Sequence, residues 1–392
     1  MKILVICQYY YPEPFKVHDV CEALVAEGHE VDVITSFPNY PMGEIYDGYK
    51  NGEHEDEIIN GVNVHRVFTI GRKTGFVWRT INYYAYSIAS TRYVAKLKKE
   101  YDVVFVYQLS PVLMTNAAIK YKKKHNKKLL LYCLDLWPDS LTLGRVKKGG
   151  LIYKYYKRKS QKIYKSADKI LVSSKMFEQY FDEMFKINGE RIDYLPQYAE
   201  DVFVPGSCAQ GGNIEITFAG NIGTTQSIET ILYAAQKLKD EKIDFHFYGD
   251  GSGLSVFEDL AKNKLKLQNV FFHGRISPQE VAHKYAQSDG LIVTLSDNPV
   301  LSMSFPGKIQ TYMAAGKPII GAVNGEAAEI IREAECGFCA NAEDVDGLVE
   351  CIKEFINSDK VQLGQNARKY YEENFQKADF INRLSDELEK LR

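Results

Sequence analysis

The 392-residue sequence has no run of about 18 uninterrupted apolar residues, so no membrane-spanning helix is expected. Its first segment, Met1–Cys7, has one basic residue and a short apolar run, which predicts a buried strand rather than a signal peptide and hence a cytoplasmic protein. Cysteines are few: seven, an odd number, widely spread, which predicts reduced, buried thiols. With 45% hydrophobic and 26% charged residues, the chain is neither disordered nor fibrous.

Several catalytic signatures are also missing. Cys336 and Cys339 form a lone C-x-x-C without a second pair, which argues against zinc and leaves redox chemistry as a weak alternative. No G-x-S-x-G nucleophile elbow occurs. The motifs found require no divalent metal ion and no organic cofactor, so we expect neither.

The near-neutral charge hides an asymmetry. Residues 1–204 carry 30 basic and 24 acidic residues, whereas the remainder carries 19 and 27. The excess is concentrated in residues 100–169, with 16 basic and 5 acidic residues, and aromatic runs lie nearby at 76–79 and 83–86. This composition favours peripheral contact with an anionic membrane surface, although a solvated lysine-rich helix face fits as well. A nucleic-acid partner is the least favoured interpretation and is not expected.

Short apolar runs alternate with helix-patterned segments in both halves of the chain, which predicts parallel sheets covered on both faces. A Gly-rich and Pro-rich linker at 205–212 separates the halves, and residues 38–61 form a predicted irregular excursion. We therefore expect two doubly wound α/β domains, 1–204 and 205–374, facing across a cleft that holds the site. The predicted strands are 3–7, 31–35, 103–107, 129–133, 170–173, 214–219, 245–248, 270–273, 290–294 and 319–322.

The strongest local motif is Ser302–Pro318, in which a polar loop leads through Pro306 into a helix that stops at Gly-Lys-Pro. The free N–H groups and positive dipole of such a helix start bind anions, and Lys308 adds a full charge. A diphosphate would fit there. The alternative is an ordinary amphipathic helix that begins at proline.

Three glycine-rich segments follow predicted strands in the second half. They are Ala219–Gly223, Phe247–Gly253 and Phe272–Ser277. Small residues at a strand end let a ligand approach the backbone, and Arg275 in the third segment could pair with a phosphate or form a surface salt bridge. Together the three segments indicate a nucleotide site more strongly than any one alone.

In the first half, Asp135, Trp137 and Asp139 follow a predicted strand, and the turn after the first strand carries four polar residues. Both segments are expected at the cleft. Trp137 packs either a sugar or the core, and His18 and Asp19 serve either the site or helix capping. The four residues of the turn are Glu13, Lys16, His18 and Asp19.

These motifs resemble the retaining GT-B glycosyltransferases of family 4, over nearly the whole chain, and most closely the L-fucosamine transferase branch of O-antigen and capsule assembly. The resemblance implies two Rossmann-like domains, with the acceptor on the first, the donor on the second, and a last helix at about 375–392 packing back on the first. The implied acceptor-side residues are Glu13, His18, Asp19, Trp137 and Asp139. The motifs that carry the resemblance are Tyr10–Glu13, Gly28–Val31, Phe37–Pro41, Asp135–Asp139, Gly220–Gly223, Gly249–Gly251 and Tyr312–Pro318.

The resemblance implies a hexosyl or N-acetylhexosaminyl transferase that moves a sugar from a UDP-sugar to a polyprenyl-diphosphate-linked saccharide at the cytoplasmic leaflet. Arg275 and Ile276 would line the base and ribose, segment 304–308 would hold the diphosphate through its N–H groups, and Asp135, where many relatives have His, would lie near the sugar. The full implied donor set is Gly220, Asn221, Gly249, Arg275, Ile276, Ser304, Phe305, Gly307, Lys308 and Thr311.

The chain departs from the family pattern where charge matters. Met303 and Thr311 stand in place of two glutamates, and Asn221 and Gln226 in place of an arginine and a lysine. A Gly-Gly pair is replaced by Pro14 and Phe15. We therefore hypothesise that three cations compensate and act in catalysis together with Asp135. They are Lys16, Arg275 and Lys308.

Two other functions fit the same architecture. One is a UDP-sugar 2-epimerase, which would need no acceptor. The other is a non-catalytic nucleotide-sugar-binding protein, which the missing glutamates favour.

Overall fold

The computed structural model describes residues 1–144, 146–206 and 212–392, and the chain forms two compact units. Unit 1 comprises Met1–Leu195 and Ile381–Arg392, and unit 2 comprises Pro196–Phe380. The predicted boundary was residue 204. The boundary between the two units lies before that residue, because Ala199 and Phe203 pack into the core of unit 2. Of the predicted linker 205–212, residues 207–211 lie outside the described residues.

Unit 1 is built on an eight-stranded sheet in the order β3-β4-β2-β1-β5-β6-β7-β8, parallel throughout except for the β3–β4 hairpin. Its central strand β1 is buried from Ile3 to Ile6, as expected for a parallel sheet covered on both faces. The strands are β1 (Lys2–Ile6), β2 (Glu30–Ser36), β3 (Asp56–Ile59), β4 (Val62–Val67), β5 (Val103–Gln108), β6 (Lys128–Cys133), β7 (Lys169–Val172) and β8 (Ile192–Tyr194).

Three of these strands were not predicted. The excursion 38–61 was predicted to be irregular throughout, but it contains β3, which pairs with β4 next to it. The helices of this part of the chain are α1 (Val17–Ala26), α2 (Phe76–Lys96), α3 (Thr115–His125), α4 (Leu151–Ser166) and α5 (Lys175–Phe185).

Unit 2 has a six-stranded, fully parallel sheet in the order β11-β10-β9-β12-β13-β14. The chain winds outward from β9 in one direction and then from β12 in the other, so the strand order reverses between these two neighbours. In open α/β sheets, ligands bind beyond the carboxyl ends of the strands at such a reversal. The strands are β9 (Ile214–Ala219), β10 (Ile243–Tyr248), β11 (Val270–Gly274), β12 (Gly290–Thr294), β13 (Ile319–Ala322) and β14 (Gly337–Ala340).

Two apolar clusters enclose the sheet of unit 2, one centred on Ile309, Tyr312 and Ile331 and the other on Ile231, Phe247 and Ile352. The prediction of two doubly wound α/β units is therefore confirmed. The remaining helices are α6 (Ile228–Lys237), α7 (Leu254–Asp259), α8 (Pro278–Gln287), α9 (Pro299–Met303), α10 (Gly307–Ala314), α11 (Glu326–Glu333), α12 (Val345–Ile356), α13 (Lys360–Asn374) and α14 (Lys377–Lys390).

The last helix, α14, ends the chain within unit 1. The Arg383 guanidinium donates to the carbonyl of Tyr194, and Ser385 lies 2.9 Å from the imidazole of His29. None of the helices in the described parts of the chain is both long and apolar enough to span a bilayer. The six described cysteines are free, and four of them are buried.

The ends of β9 and β10 approach each other closely at two glycines. A Cβ on Gly249 would lie 1.9 Å from the carbonyl oxygen of Gly220, and Gly249 has φ +140°. Gly274, at the end of β11, also has positive φ (+73°) but has open space around its Cα. Alanine substitutions at the two positions therefore separate the free-energy cost of the backbone conformation from the cost of a steric clash.

We predict that Gly249→Ala destabilises unit 2 by more than ~4 kcal/mol, because backbone has to move, and that the control Gly274→Ala costs about 1–2 kcal/mol. Urea unfolding, followed by far-ultraviolet circular dichroism, measures the loss of stability in both variants. Equal losses for the two variants would contradict the close approach of the two strand ends.

Candidate functional site

A positively charged seat lies at the strand-order reversal of unit 2. Lys308 is the second residue of α10, and its Nζ donates to Oε1 of Gln226 at 2.7 Å. The same ammonium lies 4.8 Å from the centre of the Phe218 ring. A Cβ on Gly220 would lie 3.0 Å from Nζ, so only glycine lets the ammonium rest on the carboxyl end of β9.

Lys308 is half-buried and has no counter-ion among the described residues. No carboxylate forms an ion pair with it in the described ranges, and burial lowers the pKa of Lys308 to about 8. An amide oxygen and a ring face compensate a desolvated charge only in part. An anion bound at this place would restore the missing charge, so the seat is electrostatically prepared for one.

Helix α10 adds backbone donors to the seat. It begins after Pro306, has no side-chain cap and has no acidic residue in its first turn. The amides of Gly307 and Lys308 precede the first intrahelical hydrogen bond, which Ile309 donates to Pro306. Aligned donors and the positive end of the helix dipole bind phosphate groups.

A residue that the sequence did not reveal lies in the same turn. The side chain of Gln310 is fully buried, and neither its Oε1 nor its Nε2 has a hydrogen-bond partner among the described residues. Its Oε1 would be 4.0 Å from a Cβ on Gly307. An unsatisfied buried amide is costly, so its placement beside the helix start indicates a polar group to be bound there. The sequence motifs give no signal for Gln310, because the helix pattern assigns this position to the core.

The glycine-rich strand ends are joined to one another beside Lys308. Gly220 donates to the carbonyl of Tyr248 at 2.9 Å, and Gly249 donates to that of Gly274 at 2.7 Å. Gly251 packs against the carbonyl of Ile222, 2.4 Å from where a Cβ would be. The structure thus brings the three predicted glycine segments together at one edge of the sheet.

Some predicted donor-site side chains are occupied within unit 2. Phe305 is buried in the core, with its ring 5.4 Å from that of Phe375. The hydroxyl of Ser304 donates to the carbonyl of Val300 at 2.9 Å, and that of Thr311 donates to Gly307 at 3.0 Å. The side chains of Phe305, Ser304 and Thr311 thus contribute to packing and hydrogen bonding within unit 2, and the predicted role of segment 304–308, through its backbone N–H groups, stays a prediction.

The other donor-site residues lie at the carboxyl edge. Asn221 is exposed, with its side-chain amide against Gly223. Arg275 is exposed directly after β11 and has no ion-pair partner in the described part of the chain, so the surface salt bridge considered for it is not formed. Ile276 is half-buried against the core. Arg275 is thus the second cation at this edge that has no carboxylate partner.

Two carboxylates assigned to the acceptor side point inward instead. Glu13 is buried and accepts hydrogen bonds from the backbone amides of Tyr10, Asn39 and Tyr40 at 3.2, 2.9 and 2.7 Å. Burial raises the pKa of Glu13 to about 7 against the effect of these bonds. Glu13 therefore fixes the loop after β1, which corrects its assignment as an acceptor contact.

Asp139 and Trp137 are likewise internal. Asp139 accepts from the hydroxyls of Tyr153 and Tyr180 and pairs with Lys148 at 3.0 Å. Trp137 is buried, and its Nε1 donates to the hydroxyl of Ser110 at 2.9 Å. The core alternative for Trp137 is the correct one, and both residues support the loop after β6 rather than contact an acceptor.

Asp135, in contrast, belongs to a polar cluster at the carboxyl edge of unit 1. Burial raises the pKa of its carboxyl group, while hydrogen bonds from Ser110 and the charge of Arg72 oppose that rise. Arg72 lies 5.3 Å from the centre of the Tyr40 ring and acts electrostatically on Tyr83 as well. Arg72 was missed because it follows β4, a strand that was not predicted.

The polar residues of the first turn lie at the start of α1. Lys16 occupies the N-cap position with helical backbone angles, and Asp19 is in the first turn. Nδ1 of His18 is 2.6 Å from the carbonyl of Phe15, so His18 closes its own loop. This contact satisfies no N–H group of the helix start, and within the described residues the N-cap of α1 has no side-chain hydrogen bond, so it does not support the capping alternative for His18. Roles for His18, Lys16 and Asp19 at the site stay predictions.

Carboxylates in metal-binding spacing have structural partners. Asp344 and Asp346 form a D-x-D sequence, but Asp344 caps α12 through the amide of Gly347 at 2.9 Å and Asp346 pairs with Lys237. In the described ranges, no group of three or more His, Cys, Asp or Glu side chains converges in a way that could hold a metal ion.

Comparisons with known proteins identify the family. Residues 17–197 match the family described as Glycosyltransferase Family 4, and residues 207–374 match Glycosyl transferases group 1. The chain is 30% identical over 280 residues to the glycosyltransferase WbjE of Pseudomonas aeruginosa, covering 67% of this chain and 68% of WbjE. The chain belongs to the family 4 glycosyltransferases.

Other proteins are similar to this glycosyltransferase over the whole length of both chains. WcaI of Escherichia coli K12, named for colanic acid biosynthesis, is 22% identical and is matched over 99% of this chain and 100% of its own. The solved structure of Anabaena HepE in complex with UDP and glucose superposes with a TM-score of 0.72 at 15% identity over all of both chains. The fold of the glycosyltransferase is therefore GT-B, as the sequence predicted.

The pKa of Lys308 predicts how anion binding depends on pH. Because burial lowers this pKa to about 8, the free enzyme loses the ammonium charge as pH rises through 8. We predict that affinity for UDP is constant from pH 7 to 7.5 and falls above pH 8, toward about tenfold per pH unit. The diphosphate, with its last ionisation near pH 6, keeps its charge over this range.

Calorimetric titration with UDP at pH 7–9 measures this dependence. Lys308→Met serves as the control, since its weaker binding should not change with pH over the same range. An affinity of the unmodified enzyme that is flat across pH 7–9 would show that Lys308 does not carry the anion.

Proposed function

We propose that this glycosyltransferase moves a sugar, an N-acetylated amino sugar by its resemblance to the fucosamine branch, from a UDP-sugar to a lipid-linked saccharide during assembly of a surface polysaccharide. The observation that carries the proposal is the half-buried ammonium of Lys308, which lies on Gly220 at the start of α10 and has no carboxylate partner among the described residues. The name of WcaI supports the polysaccharide class, and the UDP in the HepE structure supports the donor class.

Charge at the leaving group is the main requirement of this reaction. The bond between the anomeric carbon and the donor phosphate oxygen breaks, and its electron pair goes to the departing UDP. Lys308 and the amides of Gly307 and Lys308 would stabilise that charge, as preorganised donors do in other transfer reactions. A fixed ammonium here takes the role that a divalent cation fills elsewhere, so we propose a metal-independent reaction.

Lys308 would also replace one of the positive charges that the family pattern has and this sequence lacks. Gln226 stands where relatives have a lysine, and its amide oxygen accepts from Lys308. The cation therefore reaches the same place from α10 instead of from the loop after β9. Arg275, at the end of β11, is proposed as a second donor to the nucleotide, and Lys16 in unit 1 as a third.

We assign the sugar to the polar cluster of unit 1. Asp135 is an acceptor for sugar hydroxyl or amide hydrogens, and the guanidinium of Arg72 lies close enough to influence its charge. From the resemblance to the retaining enzymes of family 4, we propose retention of configuration without a protein nucleophile. The acceptor hydroxyl forms the new glycosidic bond on the face that UDP leaves, and its proton passes to the leaving phosphate oxygen.

The proposed acceptor is a saccharide on polyprenyl diphosphate at the cytoplasmic leaflet. The enzyme would therefore act as a peripheral protein on an anionic membrane surface. The cation-rich, aromatic first half supports this location through its composition.

The decisive variant is Lys308→Met, with Lys353→Met as control because Lys353 is a solvent-facing lysine of α12 paired with Glu350. We expect kcat for sugar transfer to fall 10²–10³-fold in Lys308→Met and to be unchanged in the control. Unfolding of ligand-free Lys308→Met should occur at the same or a higher temperature, since a desolvated charge is removed.

Transfer is measured with labelled UDP-sugars and membranes that contain acceptor. Normal transfer by Lys308→Met would contradict the assignment of the diphosphate seat. Isomerised sugar nucleotide without lipid product would identify a UDP-sugar epimerase, and binding of UDP-sugars without turnover would identify a non-catalytic binding protein.

A further inference from the structure

We propose that the amino-terminal halves of α2 and α4 form a docking face for an anionic lipid bilayer. The proposal rests on the lipid-linked acceptor of the proposed function and specifies the surface that meets the lipid. The docking face is defined by six large apolar side chains that the fold leaves in solvent. They are Phe76, Val77, Trp78 and Ile81 of α2 and Leu151 and Ile152 of α4.

The exposure of these side chains is unusual for a folded domain. Leu151 is 87% exposed and Val77 is 67% exposed, and the other four are each more than a third exposed. The two helices meet at this end, where the hydroxyls of Tyr84 and Tyr155 are 3.2 Å apart. Large apolar side chains that are exposed together at the start of two neighbouring helices favour an interaction site over ordinary surface.

The charges around the docking face are of one sign. The sequence has no Asp or Glu from Ile58 to Lys99 or from Ser140 to Ala167. Lys73 lies 4.2 Å from the centre of the Trp78 ring, and Lys159 lies 5.5 Å from that of Tyr155. Each basic residue near an anionic bilayer strengthens binding by about fivefold. A second copy of this face would instead meet the first with like charge.

The starts of both helices suit lipid headgroups. α2 begins after Gly75 and α4 after Gly150, and neither has a side-chain cap or an acidic residue in its first turn. Their free N–H groups and dipoles attract phosphate groups. Together with the apolar side chains that follow, this is the composition of helices that lie in the membrane interface.

The topology places the docking face at the functional edge of unit 1. α2 joins β4 to β5 and α4 joins β6 to β7, and these strands are all parallel. A helix that joins parallel strands runs back along the sheet, so both helices begin at the carboxyl edge, where Asp135 follows β6. A membrane bound there would hold the lipid end of an acceptor near the cluster of Arg72 and Asp135.

Vesicle sedimentation of the purified full chain at physiological salt tests the proposal. Vesicles of phosphatidylcholine with 30% phosphatidylglycerol are compared with pure phosphatidylcholine. One variant removes apolar groups (Trp78→Ser with Leu151→Ser) and another reverses charge (Lys154→Glu with Arg158→Glu). Matched controls on exposed positions of unit 2 are Val256→Ser with Val361→Ser and Lys239→Glu with Lys262→Glu.

We expect binding to the anionic vesicles only, weakened at least tenfold by either docking-face variant and less than twofold by the controls. UDP should raise the unfolding midpoint of every variant equally, because the donor seat is untouched. Equal binding to both vesicle types, or no effect of the docking-face variants, would overturn the proposal.

Self-association in the absence of lipid that the same variants abolish would also overturn it, by assigning the face to a second copy of the chain. If UDP did not raise the unfolding midpoint of the unmodified enzyme, this would count against the proposed function and not against the docking face. The two proposals therefore fail on different measurements.

Discussion

The active-site proposal for this glycosyltransferase depends on one half-buried ammonium, that of Lys308, which has no carboxylate partner in the described part of the chain. Lys308 has an amide oxygen, a ring face and a glycine backbone as its surroundings. Such a charge is expensive to bury and gains most when an anion arrives, so part of the cost of desolvation is met during folding rather than during the reaction. The seat is in this sense preorganised. The uncompensated charge that destabilises the ligand-free protein is the same charge that strengthens anion binding.

The parallel sheet explains why this charge has so few protein neighbours. The chain leaves β9 and β12 in opposite directions, and open α/β sheets form a ligand-binding space beyond such a pair of strand ends. Glycines at the ends of β9 and β10 then keep the backbone itself as the floor of the seat. Donors reach the space from α10, whose start is fixed by Pro306. Each element is ordinary, and their convergence creates the site.

Sequence patterns predicted the fold well because burial on both faces of a parallel sheet leaves a plain signal of apolar runs separated by turns. The same patterns located Lys308, since the motif from Ser302 to Pro318 contains both the helix start and the charge. Strand β4 was missed because its buried residues alternate with half-exposed ones such as Asn63 and His65, and Arg72 was missed with it.

Side-chain direction was the part that sequence could not supply. Glu13 and Asp139 looked like site carboxylates because they follow strands, yet their partners come from residues far away in sequence, such as Asn39 and Tyr180. Gln310 showed the opposite error, since it occupies a core position in the helix pattern, yet its side-chain amide beside the seat has no hydrogen-bond partner among the described residues. Hydrogen bonding over long sequence distances decides these cases, and single-sequence reasoning does not see it.

The most direct test of the central claim is the ionisation of Lys308 itself, measured by NMR of lysine labelled with ¹³C at Cε, with and without saturating UDP. In the free enzyme the pKa of Lys308 should lie near 8, and bound diphosphate should raise it above the ordinary lysine value. A pKa of Lys308 that stays the same when UDP is bound would contradict the claim that this ammonium binds the leaving group.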